Sequence, residues 1–197
     1  MLLLVRHGES AANVAGVLLG RGESPLTDHG RDQMAVLARR LAHRRVVRVV
    51  TSPLGRARDS AAALGLALPV EVDDRWIEVD YGDFEGLAPS RLPPGVWRRW
   101  RRDLSMRPPG GETLAEVAGR VRSACDELFS EPGSGARGDA DVVVVSHVSP
   151  IKAAVAWALG GPDDLTWRFQ LSTGSLTRIV WGPAGPVLLG YNEVPSG

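Results

Sequence analysis

Apolar positions along this chain follow two alternating patterns. Short segments rich in apolar residues fall at 2–5, 46–50, 70–72, 142–145, 176–181 and 186–190, each of strand length, and three of them have the β-branched character of a buried parallel strand. Between these runs the spacing is helical. Thr27 is placed to cap a helix that carries Met34, Leu37, Ala38 and Leu41 on one face. Thr113 and Glu116 form a capping box, followed by Leu114, Val117, Val121, Ala124 and Leu128 at helical intervals. A further helix is predicted from about Pro150 to Leu159, with Pro150 as its first residue and Gly160-Gly161 as its stop. Strands that alternate with helices predict an α/β fold with a mostly parallel central sheet flanked by helices.

Two segments break the rhythm. Residues 131–139 are rich in Gly, Pro and Ser and read as a surface loop, not a linker, because the run that follows completes the same sheet. Residues 97–102, Trp-Arg-Arg-Trp-Arg-Arg, are basic and aromatic. Nucleic-acid contact is one reading. A short helix with its tryptophans packed and its arginines in solvent is the favoured one, and a guard at the mouth of an anion site comes second. The whole chain, residues 1–197, is expected to be a single domain.

Composition adds exclusions. Lys+Arg and Asp+Glu both number 23, so no global charge points to nucleic acid or a membrane surface. Any anion-binding role must come from local placement of arginines. Lys152 is the only lysine, for which a GC-rich genome is the plain explanation. Cys125 is alone, which excludes an intrachain disulfide, and its helical setting predicts a small core residue. The apolar start is too short for a signal peptide, and no stretch approaches a membrane span, so a soluble cytoplasmic protein is expected.

The chemistry sits where the strands end. The run at 2–5 leads into Arg6-His7-Gly8-Glu9-Ser10, and ligands of open α/β sheets bind at the carboxyl ends of strands. A neutral imidazole can attack phosphorus through one ring nitrogen if a hydrogen bond holds the other. A phosphoryl group also needs cationic or N–H donors around its three equatorial oxygens and an acid for the leaving oxygen. His7 is the candidate nucleophile, with Arg6 adjacent and Asn13 on the following loop. Arg56 lies after the run at 46–50, at the opening of a helix that itself favours an anion. His147 follows the run at 142–145, where it and the N–H of Val148 would stabilise phosphoryl oxygens. The acid must come from the carboxyl-rich stretch 78–86, and spacing alone leaves Glu78, Asp80, Asp83 and Glu85 open. His29 and His43 read as surface residues. No histidine pair has metal-ligand spacing and no carboxylate cluster suggests magnesium, so neither metal nor cofactor is expected.

Four separated blocks, in order, resemble the histidine phosphatase superfamily, which includes cofactor-dependent phosphoglycerate mutase, and in particular its small phosphatase branch. They are Leu4-Val5-Arg6-His7-Gly8-Glu9-Ser10 with Asn13, Pro25-Leu26-Thr27 and Gly30; Ser52-Pro53-Leu54 with Arg56-Ala57; Glu78 with Gly82, Glu85 and Gly86; and Val145-Ser146-His147, preceded by Gly110-Gly111-Glu112-Thr113. The resemblance implies a phosphoglycerate mutase-like three-layer sandwich. It implies that His7 is phosphorylated, that Arg6, Arg56 and His147 form the phosphate pocket, and that Glu78 donates the proton. Glu85 is then left with a structural role at its turn. Asn13, Leu19, Gly20 and Val148 would contact substrate. Two departures stand out: Leu19-Gly20 where the family commonly has Gln-Gly, and Val148-Ser149 where it commonly has Gly-Gly.

The leading reading is therefore a metal-independent phosphomonoesterase acting on a small phosphorylated metabolite. A mutase is the runner-up; mutases of this family carry an extra segment after the third block, whereas only 23 residues, 87–109, separate Gly86 from Gly110. A non-catalytic phospholigand-binding module comes third, because nucleophile, acid and clamps are all present. The substrate's identity stays open, and the resemblance is compatible with a homodimer.

Overall fold

The structure is a computed structural model that describes residues 1–130, 136–137 and 139–195. Six strands form one sheet: β1 (Leu2–Arg6), β2 (Val46–Thr51), β3 (Val70–Val72), β4 (Asp141–Ser146), β5 (Leu176–Gly182) and β6 (Gly185–Glu193). Their order is β3-β2-β4-β1-β5-β6. The first four are mutually parallel, and β5 and β6 are antiparallel additions. All six apolar runs are strands. β4 is buried along its whole length, but β3 is an exposed edge.

Among the described residues six α-helices accompany the sheet: α1 (Ala11–Ala15), α2 (Asp28–Leu41), α3 (Gly55–Ala63), α4 (Val96–Trp100), α5 (Leu114–Ser130) and α6 (Val148–Ala158). Thr27 caps α2 by accepting from the N–H of Gly30 at 3.0 Å. Thr113 and Glu116 cap α5 reciprocally, each side chain accepting from the other's backbone N–H. Side chains alternate across a strand, so β1 feeds two cores. Leu2 and Leu4 pack with Val121, Cys125, Phe129 and Ile151 of α5 and α6. Leu3 and Val5 pack with Met34, Leu37, Ala57 and Ala61 of α2 and α3. The result is the expected three-layer sandwich. Each fully buried Leu or Val contributes about 1.5–3 kcal/mol relative to exposure, so the centre of the sheet is the most strongly held part of the chain.

Two expectations are corrected. α6 begins at Val148, not Pro150: His147 is its N-cap and Pro150 is its third residue, still inside the first turn, where a missing N–H costs no helical bond. Asn13 lies not on a loop but within α1. The short helix at 96–100 exists with Trp100 buried, Trp97 half-buried, and Arg98 and Arg99 exposed. Of the predicted loop at 131–139, residues 131–135 and 138 lie outside the described residues. Cys125 is buried in the core, and His29 and His43 are exposed. Among the described residues no helix is long and apolar enough to cross a membrane.

Candidate active site

Strand register brings the two histidines together. Arg6 pairs with Ser146 across parallel β1 and β4, and Thr51 pairs with Val145 across β2 and β4. One residue beyond each strand end, His7 donates its backbone N–H to Ser146 O at 3.0 Å and Ser52 donates to Val145 O at 3.0 Å. His7 and His147 therefore emerge side by side, with ring centroids 5.0 Å apart and planes tilted by 58°. Both are buried.

The turn after β1 is held backbone to backbone against the start of α2. A Cβ on Gly8 would lie 2.3 Å from Gly30 O, and one on Gly30 would lie 2.1 Å from Glu9 O, so neither position has room for a side chain. Gly8 N–H also donates to Ser60 Oγ on α3 at 3.0 Å, and that hydroxyl donates to Arg56 O at 2.7 Å. The turn that carries His7 and the helix that carries Arg56 are thus tied through one serine.

His7 Nδ1 is 2.7 Å from Gly8 O. Because a carbonyl can only accept, Nδ1 carries the proton and Nε2 keeps its lone pair. Burial, reinforced by the Arg6 and Arg56 guanidiniums, pushes the His7 pKa down to about 3. Burial first, and then His7 and the same two arginines, hold His147 well below the ordinary histidine range. Ser52 Oγ accepts from the N–H of Leu54 at 3.3 Å, which places its hydroxyl to donate to His147 Nε2 at 2.7 Å; in that tautomer the ring proton is on Nδ1, which is buried without a hydrogen-bond partner.

These two histidines make stability depend on pH. In the unfolded chain each gains a proton as pH falls through about 6.5, while the folded protein keeps both neutral until much lower pH. The unfolded state then binds more protons, so stability is full above about pH 6.5 and declines toward pH 3. Between pH 6.5 and 5 the loss is at most about 2 kcal/mol per histidine. Urea unfolding of wild type and His147→Asn at pH 7 and pH 5 checks this: the variant should lose less stability over that interval, and an equal loss in both would contradict it.

The arginines differ in how they are held. Arg6 Nη1 donates to Leu171 O, and its buried Nε has no partner. Arg56 donates through Nη1 to Gly22 O at 2.8 Å and through Nη2 to Gly20 O at 2.7 Å. Burial lowers the pKa of both guanidiniums, opposed by the nearby Glu78 carboxylate; arginine remains charged nonetheless. Glu85 grips the other side of the same loop, accepting from the N–H of Gly20 at 2.9 Å and of Gly22 at 2.9 Å. Its structural role therefore reaches beyond its own turn. It pegs the loop whose carbonyls orient Arg56, and Gly20 is required there because a Cβ would meet Val79 O at 2.2 Å.

Glu78 is buried, and its carboxylate accepts from the backbone N–H of Val79 at 2.8 Å, of Val148 at 3.1 Å and of Ser149 at 3.2 Å. The N-terminus of α6 is thus an anion site, as expected of a helix start, but the anion in it is the protein's own. Val148 gives its N–H to Glu78 instead of leaving it for a substrate. Asn13 turns its side-chain oxygen back to the N–H and hydroxyl of Ser10, both at 3.0 Å, so what it can still offer a ligand is its amide nitrogen. Leu19 is half-buried on the pegged loop. Ser52 and Ser60 are the residues that sequence reading passed over. Ser52 stood in a matching block without a role, and Ser60 left no signal because its partners are distant in sequence. Among the described residues no group of three or more His, Cys, Asp or Glu could hold a metal ion.

Residues 2–194 match the family model of the histidine phosphatase superfamily (branch 1). The chain belongs to this superfamily. A bifunctional protein of Mycobacterium tuberculosis is 41% identical over 182 residues, 89% of this chain, which spans about half (49%) of that relative's length. A glucosyl-3-phosphoglycerate phosphatase from M. tuberculosis is 36% identical over 189 residues, covering 87% of this chain and 84% of the relative. Among solved structures, a mycobacterial glucosyl-3-phosphoglycerate phosphatase in complex with VO3 superposes with a TM-score of 0.87 at 33% identity, covering 98% of each chain. The α-ribazole phosphatase of Shigella flexneri gives a TM-score of 0.85 at 26% identity, covering 100% of this chain and 98% of its own. These histidine phosphatases share with this chain the three-layer α/β fold on which the site is built.

Proposed function

We propose that this histidine phosphatase is a phosphoric monoester hydrolase that acts through a covalent phosphohistidine on His7, with Glu78 as proton donor, on a small phosphorylated metabolite. The observation that carries the reading is one cluster. A neutral imidazole, pinned at Nδ1 so that Nε2 is free to attack, sits among buried donors that lack partners, Arg6 Nε and His147 Nδ1. Buried polar atoms are normally satisfied, and a tetrahedral oxyanion supplies the acceptors these lack.

In the first step His7 Nε2 attacks phosphorus, the P–N bond forms, and the ester P–O bond breaks. For this step Glu78 is in its acid form; the leaving oxygen takes that proton, the carboxylate left behind is the form held by the N–H groups of Val79, Val148 and Ser149, and the second step returns the proton. In the second step water attacks the phosphohistidine, Glu78 takes a proton from that water, and His7 leaves as a neutral imidazole with free phosphate. Arg6, Arg56 and His147 hold the equatorial oxygens throughout; Arg56 has committed two of its five N–H donors to Gly20 and Gly22 and retains the rest. Because the positive charge comes from the protein, the mechanism needs no metal. Asn13, through its amide nitrogen, and Leu19 are the remaining substrate contacts; Gly20, whose N–H is held by Glu85 and whose carbonyl is held by Arg56, serves the loop instead.

Relatives named as glucosyl-3-phosphoglycerate phosphatase and α-ribazole phosphatase support hydrolysis of a phosphorylated metabolite; a probable phosphoglycerate mutase of Serratia proteamaculans, 32% identical over 183 residues, keeps mutase transfer as the second reading. The test is phosphate release from a panel of phosphorylated metabolites in the presence of EDTA. Release from at least one member is expected. Loss of all activity on chelation would overturn the metal-free mechanism, and a mutase product from 3-phosphoglycerate supplied with 2,3-bisphosphoglycerate would overturn hydrolysis.

A further inference from the structure

Beside Glu78 lies a cavity of about 200 Å³ that the chemistry above does not use. Its walls include Val79, next in sequence to Glu78, and Val148 and Ser149, whose N–H groups hold the Glu78 carboxylate. The cavity thus shares Val79, Val148 and Ser149 with the cradle of the Glu78 carboxylate. Most of the lining is apolar and aromatic: Tyr81, Trp97, Trp100 and Trp167, with Trp97 and Trp167 edge to face at a centroid separation of 5.7 Å. Such rings bury flat or aliphatic groups well.

One wall residue is out of character. Lys152, the chain's only lysine, lines the cavity from α6, one turn beyond Val148 on the same helix face. It has neither an ion pair nor a hydrogen bond among the described residues, and burial lowers its pKa, with Glu78 opposing and Arg6 reinforcing the shift. An ammonium half-removed from water without a partner is costly, and an incoming anion would relieve that cost. Around it, Trp100 Nε1 and Trp167 Nε1 are buried donors without partners. Indole N–H and ammonium groups only donate, so these groups suit an acceptor, while the faces of Trp97 and Trp167 are already taken by the Arg101 guanidinium, 5.7 and 6.0 Å from their centroids.

We infer that Lys152 is a specificity residue that binds a carboxylate on the leaving group, whose ring or chain packs against Trp97, Trp100 and Trp167. The inference rests on the phosphatase reading and narrows its substrate to phosphomonoesters with an acidic, partly apolar alcohol. Steady-state kinetics on benzyl phosphate and on 4-(phosphonooxymethyl)benzoate separate the two, because these esters expel alcohols of similar acidity and differ in the carboxylate. Wild type should favour the carboxylate ester in kcat/KM by about tenfold or more, the range of one charge-assisted hydrogen bond. In Lys152→Met the preference should collapse toward unity through the KM of that ester, and Lys152→Arg should restore part of it. Equal turnover of both esters by wild type, or equal loss on both in Lys152→Met, overturns the inference while leaving phosphatase activity in place. Absence of His7-dependent phosphate release from either ester strikes at the phosphatase reading itself and removes the inference with it.

Discussion

His7→Ala is expected to lose phosphate release by about 10⁴-fold or more, the scale on which removal of a nucleophile acts when other catalytic groups remain. The reasoning starts from the ring. Its Nδ1 is committed to Gly8 O, and its depressed pKa keeps it unprotonated through the neutral range. Nε2 therefore presents a lone pair at every pH at which the fold is stable. Rapid quenching of wild type with radiolabelled substrate should trap an acid-labile phosphoenzyme that His7→Ala does not form. His147→Ala should weaken turnover but still label, because it holds oxygens and does not attack. A His7→Ala protein with near wild-type turnover would refute the covalent route.

Glu78→Gln carries the second large effect, and its size should depend on the leaving group. Loss of a general acid costs about 10²–10⁴-fold when the departing oxygen is strongly basic. An alkyl phosphate should fall within that range, whereas a dinitrophenyl phosphate, whose anion leaves unaided, should fall far less. The glutamine side chain keeps one of the two oxygens, so it retains the bonds made at Oε1 by Val79 and Ser149 and loses the one made at Oε2 by Val148; urea unfolding of the variant separates that structural cost from the leaving-group dependence. Parallel losses on the two esters would remove Glu78 from the acid role.

Much of this was legible from the chain alone, for reasons that can be named. The runs at 2–5 and 142–145 are apolar on both faces, which only a central strand between two helical layers requires, and β1 and β4 are those strands. Thr27, Thr113 and Glu116 announce their helices through local geometry, and the caps form as expected. Arg6, His7 and His147 were visible because each stands at or just past the end of a strand, and parallel register then places the histidines together. What stayed hidden depends on contacts between distant residues. Pro150 suggested a helix start two residues late, because the true N-cap is His147. The N–H of Val148 was read as open to ligand, and only the fold brings Glu78, 70 residues away, to occupy it. The paired grip of Arg56 and Glu85 on Gly20 and Gly22 spans 34 to 65 residues, and no local pattern encodes it. Lys152 looked like a quirk of codon usage until its cavity gave it a setting.

The unpartnered donors at Arg6 Nε and His147 Nδ1 have a consequence for the end of the reaction cycle. They complement the oxygens of a tetrahedral phosphate whether or not an alcohol is attached, so the cage that captures the ester also retains the orthophosphate left behind. On the proposed reading, departure of that anion is expected to limit turnover of esters with good leaving groups, which a burst of alcohol release ahead of steady state would show. As free phosphate accumulates, it competes with every ester for the same few N–H groups.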